Sequence, residues 1–226
     1  MKHSIDLDTI PRAYTLSAAQ RFVKRGFDLL GALSGGLLLS PLIVVGWLSA
    51  AVSTRSHGFF FQERVGRYGD LFRVVKLRTM RSTDLPGSTV TTSSDSRITR
   101  VGGFLRRLKI DELPQLWNVV CGEMSFVGPR PDVPGFADQL KGKEAAILEL
   151  RPGITGPASI FFRREEVLLS DVEDPERFNS EVIWPKKVEL NLRYLQNYSF
   201  WGDIILILQT LFGGGPEWKD EKGVDG

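Results

Sequence analysis

The sequence predicts an α+β protein in which an apolar N-terminal segment lies in a membrane and a compact, mainly helical domain with a small sheet follows it. Three observations carry this. Residues 29–54 contain no Asp, Glu, Lys or Arg, and 26 such positions exceed the ~20 that cross a bilayer as a helix. Beyond them, short β-branched and aromatic runs are few and helical periodicities many. The length of 226 residues and net charge of +2 suit one core plus an appendage. Ordinary hydrophobic content excludes both a disordered chain and a multi-span membrane protein. The boundaries expected are an N-terminal arm over 1–19, a membrane segment over 20–55, a domain over 56–212 and a tail over 213–226.

The single cysteine excludes an internal disulfide framework and fits a reducing compartment. Cys121 sits in an apolar run and reads as a core residue. His3 and His57 lie outside any zinc-ligand spacing.

Arg21, Lys24, Arg25 and Asp28 precede the uncharged block and Arg55 closes it. The block starts too late and runs too long for a signal peptide. Ser40-Pro41 falls near its middle. Proline removes a backbone donor and kinks a helix, and Ser40 can satisfy a carbonyl freed by the break. Each half is about a dozen residues, ~18 Å of helix, too short for ~30 Å of hydrocarbon. Basic residues at both ends give the positive-inside rule no winner. A kinked transmembrane helix and a re-entrant helix-break-helix fit about equally.

Phe59-Phe-Phe-Gln-Glu63 reads as a strand or a membrane-surface aromatic cluster, and residues 71–77 as a second strand. Lys76 and Arg78 share one face of it by alternation. Residues 81–96, Ser/Thr-rich with Pro-Gly, read as a loop that could cover a site. A helix is expected over about 97–108, with Ile98, Val101, Leu105 and Leu108 on one side and Arg97, Arg100, Arg106 and Arg107 over much of the rest.

The centre of the pattern is Lys109-Ile-Asp-Glu-Leu-Pro-Gln-Leu-Trp-Asn118. Asp111 reads as a helix N-cap with Pro114 in the first turn, where the helix N-terminus would keep it ionised and attract phosphate. Arginines flank the stretch, upstream at 97–107 and downstream in Gly128-Pro-Arg-Pro131. Two carboxylates ringed by arginines suggest a metal ion and a phosphorylated substrate. Further on, residues 123–127 read as a strand, 136–150 as helical and 151–156 as a Gly/Pro turn. Asp174-Pro175 starts a helical region broken at Trp184-Pro185. Residues 186–198 are amphipathic, and an apolar run at 204–212 precedes a polar tail.

Together these stretches resemble the monotopic phosphoglycosyl transferases among the bacterial sugar transferases. The match rests on Lys24-Arg-Gly-Phe-Asp28, Ser40-Pro41, Phe61-Gln-Glu-Arg-Val-Gly66, Lys76-Leu-Arg-Thr-Met80, Arg97-Ile-Thr-Arg-Val-Gly102, Asp111-Glu-Leu-Pro-Gln-Leu-Trp-Asn118, Gly122-Glu-Met-Ser-Phe-Val-Gly-Pro-Arg-Pro131, Arg151-Pro-Gly-Ile-Thr-Gly156 and Tyr198-Ser-Phe-Trp-Gly-Asp203. They occur in family order over nearly all of 20–212, and the chain resembles the minimal version of the family. The resemblance implies transfer of a sugar-1-phosphate from a UDP-sugar to a polyprenyl phosphate, expected to be undecaprenyl phosphate, with release of UMP. It implies a re-entrant helix broken at Ser40-Pro41, Asp111 as nucleophile, and Mg²⁺ held by Asp111 and Glu112. Lys76, Arg78 and Arg106 would bind substrate phosphate, and Pro129, Arg130 and Pro131 the nucleotide. The partners implied are the bacterial inner membrane, with the catalytic domain on its cytoplasmic face, and possible downstream glycosyltransferases, but no nucleic acid. Lys109-Ile110, Gly103 and Gly156-Pro-Ala-Ser159 with Arg163-Arg164 depart from the usual family residues. From the residues alone, a UDP-releasing lipid glycosyltransferase and a non-catalytic module binding anionic lipid remain open.

Overall fold

The computed structural model describes residues 14–81 and 95–218. The covering-loop reading falls largely, and the arm and tail readings partly, outside them. The fold is helical with two small sheets, as the sequence predicts. Helix α1 spans Ala18–Thr54. Strands β1 (Phe59–Val65) and β2 (Leu71–Leu77) form an antiparallel hairpin, Phe59 opposite Leu77 and Val65 opposite Leu71. Helix α2 (Arg100–Arg107) leads through a 3-10 turn (Ile110–Glu112) into α3 (Gln115–Cys121). Strand β3 (Ser125–Val127) pairs in parallel with β4 (Gly153–Thr155). Helices α4 (Pro157–Phe161), α5 (Glu165–Ser170), α6 (Pro175–Phe178), α7 (Trp184–Gln196) and α8 (Phe200–Phe212) complete the domain.

Helix α1 inverts the usual pattern of a soluble helix. Its buried residues are Lys24, Asp28, Ala32, Gly46, Ala50 and Thr54, while Leu30, Leu37, Leu38 and Val52 are exposed. Polar and small side chains face the protein, and large apolar ones face away. The 37 residues make about 55 Å of helix, long and apolar enough to cross a membrane. Two stretches dock on the domain. Near the start, Arg25 donates to the Val119 and Val120 carbonyls, and the Asp28 carboxylate accepts from Ser125 and the Phe126 amide. Near the end, Gly46 and Ala50 pack among Leu77, Leu105 and Ile110. No residue of 33–45 is buried. Pro41 lies inside helical backbone, and the Ser40 hydroxyl donates to the Leu37 carbonyl at 2.8 Å. The expected interruption at Ser40-Pro41 is therefore not a break in helical conformation.

Lys24 meets Asp203 of α8 at 2.6 Å, where Tyr194 of α7 also donates to that carboxylate at 2.6 Å. Asp203 is only 2% exposed. A buried charge left without its partner costs several kcal/mol. Asp203→Asn, which keeps the shape but strands Lys24, is expected to cost about 3 kcal/mol, read as a lowered melting temperature. Adding Lys24→Met should restore part of it.

Several local expectations are corrected. Helix α2 starts at Arg100, because Thr99 caps it through the Gly102 amide while Arg97 turns back onto Asp95. The helical character expected over 136–150 takes the form of two 3-10 segments, Ala137–Gln139 and Gly142–Glu149, separated by an extended pair. The chain does not break at Trp184-Pro185. A π-turn (Asn179–Ile183) feeds α7 directly, and Pro185 is carried within this continuous helical backbone. Cys121 is exposed, because α3 ends after seven residues at Gly122.

Candidate active site

Three segments bring the charged residues together. Strand β2 carries Lys76. Lys109, with a left-handed backbone (φ 56°), reverses the chain after α2 and sets Asp111 and Glu112 in the 3-10 turn. Strand β3 ends at the Gly128-Pro-Arg-Pro131 turn. Asn118, 1% exposed, locks the first two in place. Its Oδ1 accepts from the Val75 amide, and its Nδ2 donates to the Arg73 carbonyl and to Glu123. Backbone close approach fixes the third. A Cβ on Gly153 would lie 2.2 Å from the Gly128 nitrogen, and one on Gly156 2.2 Å from the Gly128 oxygen. Only glycines let the two turns nest, with the Gly153 amide donating to the Pro129 carbonyl at 2.8 Å.

Glu112 is the hub. Its Oε1 accepts from Lys76 at 3.1 Å and from Arg130 at 2.9 Å. Burial works to raise its pKa, but Arg130, Lys76 and Lys109 outweigh that and hold it well below the usual carboxylate range. Burial lowers the Lys76 pKa against the pull of Glu112, and Glu112 raises that of Arg130. Asp111 is left with the opposite balance. Burial and the neighbouring Glu112 charge lift it to about 6, and its Oδ1 is buried without a hydrogen-bond partner. The expected N-cap role is overturned: α3 begins four residues later, after Pro114, and Asp111 caps nothing. The helix therefore does not keep it ionised.

The residues predicted from sequence separate into two groups. Asp111, Glu112, Lys76 and Arg130 converge. Arg106 influences Asp111 electrostatically, while its guanidinium donates to Glu166. The Pro131 carbonyl accepts from Arg64 at 3.1 Å behind the turn. Arg78 is placed elsewhere, its guanidinium donating to the His57 carbonyl and lying over the Phe60 ring. Ser40 and Pro41 lie on the exposed middle of α1. Sequence reasoning assigned no role to Lys109, Asn118 or Glu166. The departure from family residues at Lys109 was the one signal, and for Glu166 the arginine-glutamate run at 163–166.

Among the described residues no cluster of three acidic, His or Cys side chains forms a closed metal site. The donor set fits a hard cation that takes one or two carboxylates and completes its shell with water and substrate phosphate, as Mg²⁺ does. The orphaned Asp111 Oδ1 has no protein partner that such a cation would need to displace. Phe104 of α2, Leu108 just after it, Trp117 on α3, and Trp201, Leu211 and Phe212 on α8 are exposed apolar side chains.

The family model for bacterial sugar transferases matches residues 19–214. An undecaprenyl-phosphate N-acetylgalactosaminephosphotransferase of Aeromonas hydrophila is 33% identical over 84% of this chain and 43% of its own. A UDP-glucose:undecaprenyl-phosphate glucose-1-phosphate transferase of Escherichia coli is 36% identical over 88% of this chain and 41% of its own. One of that name from Caulobacter vibrioides is 32% identical over 92% and 78%. The chain thus spans about two-fifths of the length of the first two relatives and most of the third.

Proposed function

Because this chain belongs to the bacterial sugar transferase family, we propose that it transfers a sugar-1-phosphate from a UDP-sugar to a polyprenyl phosphate, undecaprenyl phosphate being expected, and releases UMP. The observation that carries the reading is Asp111: a buried carboxylate with a free oxygen, next to a glutamate that already holds two cations. Relatives named for undecaprenyl-phosphate transfer support the substrate class.

In the first step an Asp111 oxygen bonds the sugar-bearing phosphorus. The bond from that phosphorus to the bridging oxygen breaks, and UMP leaves with that oxygen. In the second, a phosphate oxygen of the polyprenyl phosphate attacks the same phosphorus. The bond to Asp111 breaks and the carboxylate is restored. Splitting the reaction lets two bulky substrates use one site in turn. A carboxylate attacking an anionic diphosphate needs charge neutralisation. Arg130 and Lys76 supply it on one side and Arg106 on another. Asp111 and Glu112 would hold Mg²⁺, which supplies Lewis-acid stabilisation of the diphosphate when bound. Pro129, Arg130 and Pro131 would receive the nucleotide.

The docking of α1 supports a re-entrant seat. Its start and its end both pack on one domain, and the stretch between carries no buried residue. A transmembrane helix would carry its end to the far side of ~30 Å of hydrocarbon. Re-entry from the cytoplasmic face of the inner membrane leaves both ends on one side and puts Asp111 at the depth of a lipid phosphate. The product would pass to downstream glycosyltransferases in the same membrane.

The attacking carboxylate must be ionised, and burial lifts the metal-free Asp111 carboxyl to about 6, so kcat/KM should fall on the acid side, with the fall moving to lower pH as Mg²⁺ is raised. A pH–rate profile flat down to pH 4.5 at limiting Mg²⁺ would remove Asp111 from that role. The reaction class is tested by the soluble product. Enzyme, Mg²⁺ and polyprenyl phosphate are given a panel of UDP-sugars, and UMP from one of them is expected. UDP would identify a simple glycosyltransferase instead.

A further inference from the structure

The first turn of α5 carries two adjacent glutamates, and both engage basic residues around the site. Glu165 pairs with buried Lys187 of α7 at 2.7 Å and acts electrostatically on Arg130. Glu166 accepts from the Arg106 guanidinium and is about half exposed, whereas Arg106 is mostly covered. Arg106 comes from the last turn of α2 and acts electrostatically on Asp111. A carboxylate therefore sits on the arginine expected to meet a substrate phosphate. The two carboxylates differ in kind. The Glu165–Lys187 pair is largely covered and ties α5 to α7. The Glu166–Arg106 pair reaches solvent, where such a contact is weak and exchangeable.

From this arrangement we infer that Glu166 is a positioning residue for donor binding: it holds Arg106 in the empty enzyme and yields it to a phosphate of the incoming nucleoside diphosphate. The inference rests on the diphosphate reading of the site but not on turnover. Binding must break one ion pair to make another, so Glu166 lowers donor affinity while keeping Arg106 aimed at the site. A carboxylate and a phosphate oxygen accept from a guanidinium in the same geometry, which makes the exchange chemically even-handed. An exposed pair contributes little, so its removal should change affinity by only about two- to fivefold.

The test is calorimetric titration of UDP into the full chain in nanodiscs, for the parent protein, Glu166→Gln, Glu166→Asp, Arg106→Ala and the Arg106→Ala/Glu166→Gln double variant. Melting temperatures are read alongside. Glu166→Gln should lower the Kd for UDP about two- to fivefold, Glu166→Asp should restore the parent value, and Arg106→Ala should weaken binding. In the double variant, Glu166→Gln should no longer tighten it. Unchanged or weaker binding by Glu166→Gln, including weakening that tracks a lower melting temperature, would overturn the inference and make Glu166 structural. Equal tightening with and without Arg106 would overturn it by showing that Glu166 acts elsewhere. UDP binding by none of the forms would overturn the diphosphate reading itself, and the inference with it.

Discussion

Asp111→Asn is expected to lose turnover by at least about 10³-fold, the scale on which removal of a nucleophile acts, while the protein remains membrane-associated and folded. The amide has nearly the shape of the carboxylate but cannot form the acyl-phosphate bond. The same substitution should stabilise the fold at neutral pH. A carboxyl whose pKa is higher in the folded than in the unfolded state is relatively favoured when protonated. Its contribution therefore falls as pH rises from about 4 to about 6, and above that the fold bears the full penalty. The rise from 3.8 to about 6 corresponds to at most about 3 kcal/mol. Asn carries no charge and escapes it. The variant should melt higher than the parent at pH 7.5, with the gap narrowing towards pH 5. Together, lost turnover and gained stability would distinguish a chemical role from a structural one.

Glu112→Ala should do the reverse for stability. It leaves Lys76 and Arg130 facing each other with no shared acceptor. Glu112 is buried while Lys76 and Arg130 are partly exposed, so its loss should cost about 2–3 kcal/mol, less than a fully buried pair, and the melting temperature should drop and activity with it. Glu112→Gln keeps an acceptor oxygen without the charge and should fall between. Adding Lys76→Met to Glu112→Gln removes one of the two opposed cations. Part of the stability should return, with a favourable coupling in a double-mutant cycle. Activity should not return, because neutralising groups for the diphosphate are then missing. Full activity in Glu112→Gln would contradict the hub role.

Much of the architecture is legible in the sequence because it follows from local rules. The uncharged run at 29–54 makes α1, the aromatic run that opens at Phe59 lies in β1, and the β-branched and aromatic run at 71–77 makes β2. Ser199 caps α8 and Asp174 caps α6 through ordinary side-chain bonds. The misses are tertiary. Asp111 satisfies every local criterion for an N-cap, but the left-handed Lys109 and the 3-10 turn move it off the helix axis. Cys121 looks internal by its neighbours, yet the length of α3 sets which side it faces. Pro185 reads as a breaker, but the preceding π-turn receives it. Lys76 and Arg78 alternate as expected, but Lys76 meets Glu112 whereas Arg78 caps His57. The site itself was half visible. Asp111-Glu112 and Pro129-Arg130-Pro131 stand out as motifs. Their meeting depends on Asn118 and on three nested glycines, whose role appears only when β3 and β4 lie side by side.

The most direct measurement of the central claim omits the lipid acceptor. Enzyme, Mg²⁺ and the UDP-sugar identified by the panel are mixed without polyprenyl phosphate, and UMP release and intact mass are followed. About one equivalent of UMP per enzyme should appear as a burst. The protein should gain the mass of one sugar phosphate, mapping to Asp111 and absent in Asp111→Asn. Adding polyprenyl phosphate should discharge it. UMP that appears only after the acceptor is added, with no mass gain beforehand, would mean direct transfer between the substrates and would contradict the aspartyl intermediate.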